Sequence, residues 1–400
     1  MADDGGRTSD ASLLAAMTGL LDEARRLAPH RLPGLIASAA EQLGAREARV
    51  WLSDPQQRIL VHVPHSDQAV QLPEQPIDAS SAGRAYSHSE TVAAEDEGVT
   101  HLWVPLIDGV DRIGVLELVV ADLGEAGRRR FEHLAAVAAA EIITRGQYSD
   151  TFTRRRRRRS MSLAAELQWQ ELPPTSFSTA DVSVAGMLEP AYTVGGDTFD
   201  YAHGPDRMDL VILDSVGHDL GSSLISTLAL AAYRNARRAG GDLADAARLM
   251  DRAIQEQIGR GRYATGQLGR LDTRTGVLRW LNAGHPPPLL VRRNHIAELA
   301  CRPRLPFGIG HMEPDRVWEI AEDQLEPGDG VLFYTDGVIE AQALGGEDFG
   351  LDRLIDFVSK AVAADLGPAE TVRRLSNAIL DFHGGHLRDD ATSFLVVWTP

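Results

Sequence analysis

Four hundred residues exceed the usual size of one domain, so the chain is expected to hold two units and a connector. With 44% hydrophobic and 24% charged residues it is globular, and a net charge of −17 excludes a general nucleic-acid binder, which needs a basic face. Lys360 is the only lysine, so nearly all positive charge is arginine. Cys301 is the only cysteine, which rules out an intrachain disulfide and suits a reducing cytoplasm. The N-terminus lacks a signal-peptide pattern, and no apolar run approaches the about 20 residues needed to span a bilayer. A cytoplasmic protein that contacts neither membrane nor nucleic acid is expected.

Residues 1–10 are polar and acidic and read as a disordered tail. From Ser12, the apolar positions Leu13, Leu14, Met17, Leu20, Leu21, Ala24 and Leu27 recur at spacings of three and four, the mark of an amphipathic helix. A second helix is predicted over Leu35–Leu43, then strands at Ala48–Leu52 and Ile59–Val63. Residues 64–100 are rich in Pro, Ser, Glu and Asp and are expected to be partly irregular. His101–Ile107 and Ile113–Val120 form a hairpin around a glycine turn, and a helix from Gly124 to Arg145 closes the unit. This order over residues 11–146 resembles a GAF domain, most clearly in the hairpin Trp103-Val-Pro-Leu-Ile-Asp-Gly-Val-Asp-Arg-Ile-Gly-Val-Leu-Glu-Leu. The resemblance implies a sensor with a pocket for a small molecule; without a ligand the same unit is a dimerisation domain.

Residues 147–175 read as an Arg-rich helical connector. Arg154 to Arg159 are six arginines in a row, which cover the whole circumference of a helix and so cannot bury one face. A solvated helix is the plain reading; a phosphate, nucleic-acid or membrane-surface contact is the other. Met161 to Pro174 reads as a helix stopped by Pro173 and Pro174. Joined to the helix before it, this stretch is expected to form a signalling connector and a short parallel coiled coil across a homodimer.

From residue 176 to 400 the pattern changes to many strands and two pairs of helices. Strands are predicted at Val182–Leu188, Asp209–Leu213, Arg262–Leu271, Gly276–Asn282, Pro288–Val291, Gly330–Thr335 and Thr392–Trp398. Helices are predicted at Leu220–Ala239, Leu243–Ile258, Asp352–Ala363 and Ala369–Phe382. Antiparallel strands with paired helices suit a sheet sandwich covered on both faces. Four aspartates punctuate it: Asp197 after a Gly-Gly pair, Asp214 after Val-Ile-Leu, Asp336 after Phe-Tyr-Thr and Asp389 in Arg-Asp-Asp-Ala-Thr. Carboxylates from four segments, with no Cys/His spacing, suit hard cations such as Mn²⁺ or Mg²⁺ rather than zinc. Two such ions about 4 Å apart can activate a water for attack on a phosphoryl group.

Taken in order, Glu189-Pro-Ala-Tyr-Thr-Val-Gly-Gly-Asp-Thr-Phe-Asp, Asp214-Ser-Val-Gly-His, Asn282-Ala-Gly-His-Pro-Pro, Leu305-Pro-Phe-Gly-Ile-Gly, Phe333-Tyr-Thr-Asp-Gly-Val-Ile-Glu-Ala, Gly346-Glu-Asp-Phe-Gly and Asp389-Asp-Ala-Thr-Ser-Phe-Leu-Val-Val resemble the bacterial branch of the metal-dependent type 2C (PPM) serine/threonine phosphatases, the SpoIIE/RsbU kind. The resemblance covers about residues 162–400. It implies an α/β (α+β) chain ending in an αββα sandwich, with metal ligands at Asp214, Asp336 and Asp389, the Ser215 carbonyl as a backbone ligand, and Asp197 completing the cluster. It also implies hydrolysis of phosphoserine or phosphothreonine, usually on an anti-anti-sigma (STAS) protein. His218 is a candidate acid or a helix-start histidine; His285 reads as a turn residue. Asp219 stands where the family has glycine, which would add negative charge near the metals. If Asp219 marks decay, the chain is instead a phosphatase-like binding regulator; hydrolysis of a small-molecule phosphoester is the third reading.

Overall fold

The computed structural model describes residues 4–400 apart from 66–70, 97, 122, 194, 218, 260, 294, 314–315, 344, 385–386 and 388. The chain divides into two compact units, residues 1–159 and 160–400. Among the described residues no helix is long and apolar enough to cross a membrane.

The first unit runs α1 (Asp4–Ala24), α2 (Leu32–Gln42), β1 (Ala45–Ser53), β2 (Ile59–Val63), β3 (Gln75–Pro76), α3 (Ser81–His88), β4 (Val92–Asp96), β5 (Val99–Asp108), β6 (Asp111–Val120), α4 (Glu125–Gly146) and α5 (Thr151–Arg156). Among the described residues its strands form one antiparallel sheet in the order β3-β2-β1-β6-β5-β4. Alternation along β1 decides the packing. Val50 and Leu52 join the core under α1, α2 and α4, while Trp51 turns to the other face against Leu60, Tyr86 and Val115. Helix α1 starts inside the stretch expected to be disordered. The stretch expected to be irregular holds α3, capped by the Ser80 hydroxyl on the Gly83 amide, and β4.

The helix expected over Met161–Pro174 forms at Leu163–Glu171, but the stretch before it is not helical throughout. Helix α4 ends at Gly146, α5 ends at Arg156, and Arg157 is extended. Part of the arginine run finds partners within its own unit, while Arg154, Arg158 and Arg159 stay exposed to solvent. Phe152 is buried in the core, Arg156 Nε donates to the Ser53 carbonyl at 2.7 Å, and Arg158 pairs with Glu74 at 2.8 Å.

The second unit begins with α6 (Leu163–Glu171), β7 (Ser176–Ser178), β8 (Val182–Glu189), β9 (Asp197–His203), β10 (Arg207–Ser215), α7 (Leu220–Arg238) and α8 (Leu243–Gln257). It continues with β11 (Ala264–Asp272), β12 (Val277–Ala283), β13 (Leu289–Arg292), β14 (His295–Glu298), β15 (Ala321–Gln324), β16 (Gly330–Tyr334), α9 (Asp336–Ile339), α10 (Gly350–Ala363), α11 (Pro368–Phe382) and β17 (Ala391–Trp398). Among the described residues two antiparallel sheets form, β15-β12-β11-β10-β9 and β14-β13-β16-β17-β8-β7. Alternation again sorts the side chains. Leu210, Ile212, Phe333 and Phe394 point between the sheets; Val211 and Leu213 meet α7 and α8; Leu332 and Tyr334 meet α10 and α11. The result is the expected αββα sandwich. Its central seam is aromatic, with Phe199 stacked on Phe394 at 5.1 Å. Gly186 leaves room for the Phe199 ring, which a Cβ there would overlap.

Candidate metal and catalytic centre

At one end of the sandwich the inner faces turn polar. Asp197 opens β9 and Asp214 closes β10, and the two are direct cross-strand partners. The strand starting at Asp197 was not predicted: Gly195-Gly196 reads as a loop, and only pairing with β10 makes the next residues extended. On the second sheet Thr335 follows β16, Asp336 begins α9, and Asp389 and Asp390 precede β17. Thr335 exchanges backbone and side-chain bonds with Thr392, and its hydroxyl donates to Asp197 Oδ2 at 2.7 Å. That hydroxyl ties one sheet to the other beneath the cluster.

Gly337 fixes the approach of Asp336. A Cβ there would overlap the Asp390 carbonyl, so the Asp336 turn can rest directly on the 389–390 backbone. The two neighbouring carboxylates divide the labour. Asp390 is buried, and its Oδ2 accepts from the amides of Gly195 at 2.8 Å, Gly196 at 2.5 Å and Asp197 at 3.3 Å. Asp389 is exposed and borders the cluster. Sequence reasoning chose Asp389 and missed Asp390. The signal was present: Asp390, Thr392, Phe394 and Val396 share the period-two face that points inward.

Ser215 is buried, its hydroxyl 2.7 Å from that of Ser226, and its carbonyl lies against Gly196. Helix α7 grips the Gly195–Gly196 carbonyls with Ser222, Ser223 and Ser226, Ser223 at 2.8 Å. Asp219 is the N-cap of α7, accepting from the Ser222 amide at 3.1 Å. Its carboxylate is thus engaged with the helix start. His218 lies outside the described residues. From α6, Gln168 donates to the Asp197 carbonyl and Trp169 to the Ala191 carbonyl at 2.7 Å.

The carboxylates load one another electrostatically. Burial, then Asp214 and Asp390, push Asp197 well up. Burial, then Asp336 and Asp389, raise Asp214 to about 7, and Asp214 and Asp336 share a hydrogen bond. Burial raises Asp390 to about 6 despite its three amide donors. None of the leading influences on these four groups is a cation. Among the described residues, no three His, Cys, Asp or Glu side chains are arranged as a metal-holding group. The cluster still fits Mg²⁺ or Mn²⁺, which take oxygen donors, keep several waters and need only one or two carboxylates each. Uncompensated, half-buried carboxylates are what such an ion stabilises.

An αββα sandwich with an oxygen-only carboxylate rim defines a PP2C-type phosphatase domain. Residues 204–399, most of the second unit, match the family described as Stage II sporulation protein E (SpoIIE), which supports a bacterial PP2C phosphatase of the SpoIIE/RsbU kind. Protein IcfG of Synechocystis sp. is 24% identical over 247 residues, 54% of this chain and 38% of that protein. The RsbU and RsbW domains of Rv1364c from Mycobacterium tuberculosis are 27% identical, covering 55% of this chain and 62% of that one, with TM-score 0.47. The SiaA-PP2C domain of Pseudomonas aeruginosa is 24% identical, covering 54% and 86%, with TM-score 0.47. The chain thus spans less than two thirds of the length of IcfG and of the Rv1364c fragment.

Proposed function

We propose that the chain is a metal-dependent phosphoprotein phosphatase that hydrolyses phosphoserine or phosphothreonine on an anti-anti-sigma (STAS) type partner. The observation that carries the reading is the convergence of Asp197, Asp214, Asp336, Asp389 and Asp390, from four separate segments, into one mutually repelling acidic group. Asp214, Asp336 and Asp389 would hold the ions with the Ser215 carbonyl, and Asp197 would complete the set through its link to Thr335. A bound Mn²⁺ or Mg²⁺ pair supplies Lewis-acid activation of water and of the phosphoryl group. Asp214 and Asp336 would hold the ions that activate the water, and Asp390, through the amides it accepts from, keeps the Gly195–Gly196 turn in place. His218 is the proposed proton donor to the leaving oxygen. The first unit, GAF-like in the order of its elements, is the proposed regulator. An open cleft of about 420 Å³ lined by Thr91, Val104, Ile107, Arg128 and Glu132 supports a small-molecule input there.

One observation favours a second reading, a partner-binding regulator with a weakened centre: no three-side-chain metal group is formed among the described residues. Asp336→Asn decides between them. Loss of Mn²⁺-dependent aryl phosphate hydrolysis with the fold intact supports the phosphatase. Undiminished turnover removes the site, and no Mn²⁺ binding by calorimetry at millimolar metal supports the regulator.

A further inference from the structure

Thr335 stands between β16 and α9, at the N-cap position of the helix, where a threonine hydroxyl commonly accepts from an amide of the first turn. Here it makes no such cap. The residue is fully buried, and its hydroxyl is spent across the molecule instead. The oxygen accepts from the Thr392 amide at 2.9 Å, and the proton goes to Asp197 Oδ2 at 2.7 Å. The Thr335 amide donates in turn to the Thr392 carbonyl at 3.0 Å. Two bonds thus fasten Thr335 to β17 in its own sheet, while its one side-chain proton reaches the other sheet. An ionised carboxylate can only accept and a backbone amide can only donate, so the hydroxyl is oriented from both sides.

Different partners hold the rest of Asp197. Its amide donates to Asp390 at 3.3 Å, and its carbonyl accepts from the Gln168 side chain. Pairing with Asp214 fixes its place in the strand. These bonds all end on the backbone. The terminal torsion of an aspartate is broad, so a fixed backbone still lets the carboxylate turn. Among the described residues the Thr335 hydroxyl meets that carboxylate, and the neighbouring Thr392 hydroxyl makes no hydrogen bond.

We propose that Thr335 is a positioning residue for the metal centre: anchored on the Thr392 amide, its hydroxyl reaches across the sandwich and holds the Asp197 carboxylate in the orientation that the ions need. This assignment rests on the phosphatase reading above. Thr335 acts through Asp197 and not on substrate. The turn that delivers Asp336 from one sheet therefore also carries the group that orients Asp197 on the other. A helix cap is given up for this link, since the same hydroxyl proton and lone pairs are already committed.

The test measures Mn²⁺ affinity by calorimetry for wild type, Thr335→Val and Thr335→Ser. Valine is near-isosteric and lacks the hydroxyl, so affinity should fall about 10–100-fold, the scale of a lost hydrogen bond to a metal-binding carboxylate. Serine keeps the hydroxyl and should restore most of that loss. Valine also strips the Thr392 amide of its acceptor, so Tm will fall, and a crystal structure of Thr335→Val separates the two effects. There the Asp197 carboxylate should be turned from its wild-type orientation while Asp214 and Asp336 keep theirs. With saturating Mn²⁺ and p-nitrophenyl phosphate, the same variant should lose kcat with KM nearly unchanged. Unchanged Mn²⁺ affinity in Thr335→Val, an unmoved Asp197 carboxylate, or a loss in Thr335→Ser as large as in Thr335→Val overturns the proposal. Should the valine variant not fold, a tenfold loss of affinity in Thr335→Ser overturns it alone, and wild-type affinity there supports it. Wild type that binds Mn²⁺ without turning over the aryl phosphate removes the phosphatase reading, while the affinities still decide the role of Thr335. Wild type that binds no Mn²⁺ overturns both.

Discussion

Gly337 rests on the carbonyl of Asp390, so closely that any side chain at position 337 would overlap it. Two strands of one sheet thus end against each other, and Asp336 arrives beside Asp389 for that reason. Gly337→Ala should separate them. Relieving the overlap by backbone movement costs about 1–3 kcal/mol, read as a lowered unfolding midpoint. Mn²⁺ affinity, measured by calorimetry, should fall at least tenfold. Unchanged affinity would mean that the approach of the two turns does not build the site.

Asp390 is predicted to matter as an anchor rather than as a ligand. Asp390→Ala strands the amides of Gly195 and Gly196, each worth about 1–3 kcal/mol when left unsatisfied in a buried place. Asp390→Asn keeps an acceptor oxygen and should lose less stability. Chemical denaturation of the two variants checks the order. Equal losses would show that the negative charge, not the acceptor geometry, is what the turn requires.

The metal-free protein should lose stability as pH rises. Asp214 sits at about 7 and Asp390 at about 6 in the fold, against an ordinary 3.8. Between those values the folded chain holds more protons than the unfolded one, so stability falls from pH 4 to 7 and the penalty is complete above 7. Bound Mn²⁺ replaces the protons. The gain in melting temperature on adding Mn²⁺ over chelator should therefore be larger at pH 8 than at pH 5. A gain independent of pH would remove Asp214 from the metal site.

Asp219 is predicted to be a helix cap and not a poison of the metal centre. Asp219→Gly, which restores the residue usual in the family, should cost only a few tenths of a kcal/mol, and Asp219→Ala about 1 kcal/mol. Neither should change Mn²⁺ affinity more than about threefold, since an exposed charge engaged with a helix start is well screened. A tenfold rise in affinity for Asp219→Gly would restore the repulsion expected from the sequence.

The sandwich was legible because its helices carry 3.6-residue periodicity and its strands are apolar runs bounded by turn residues, as Val331 to Tyr334 between Gly330 and Asp336 show. The acidic residues were legible through the glycines beside them. What escaped were features made by partners distant in the chain. The strand starting at Asp197 exists because β10 pairs with it, and the break of the connector at Arg157 follows from Phe152 and Arg156 finding partners in the first unit.

Local pattern thus sufficed for which side chains are acidic, where strands end and which faces are apolar, since these follow from neighbours a few positions away. That Asp390 accepts from the Gly195–Gly196 amides, where Asp219 spends its charge, and that Thr265 stands between Asp214 and His285 depended on long-range pairing. Register is set by long-range pairing and by the close approach of backbones at Gly196 and Gly337, and neither is encoded in any short window of the chain.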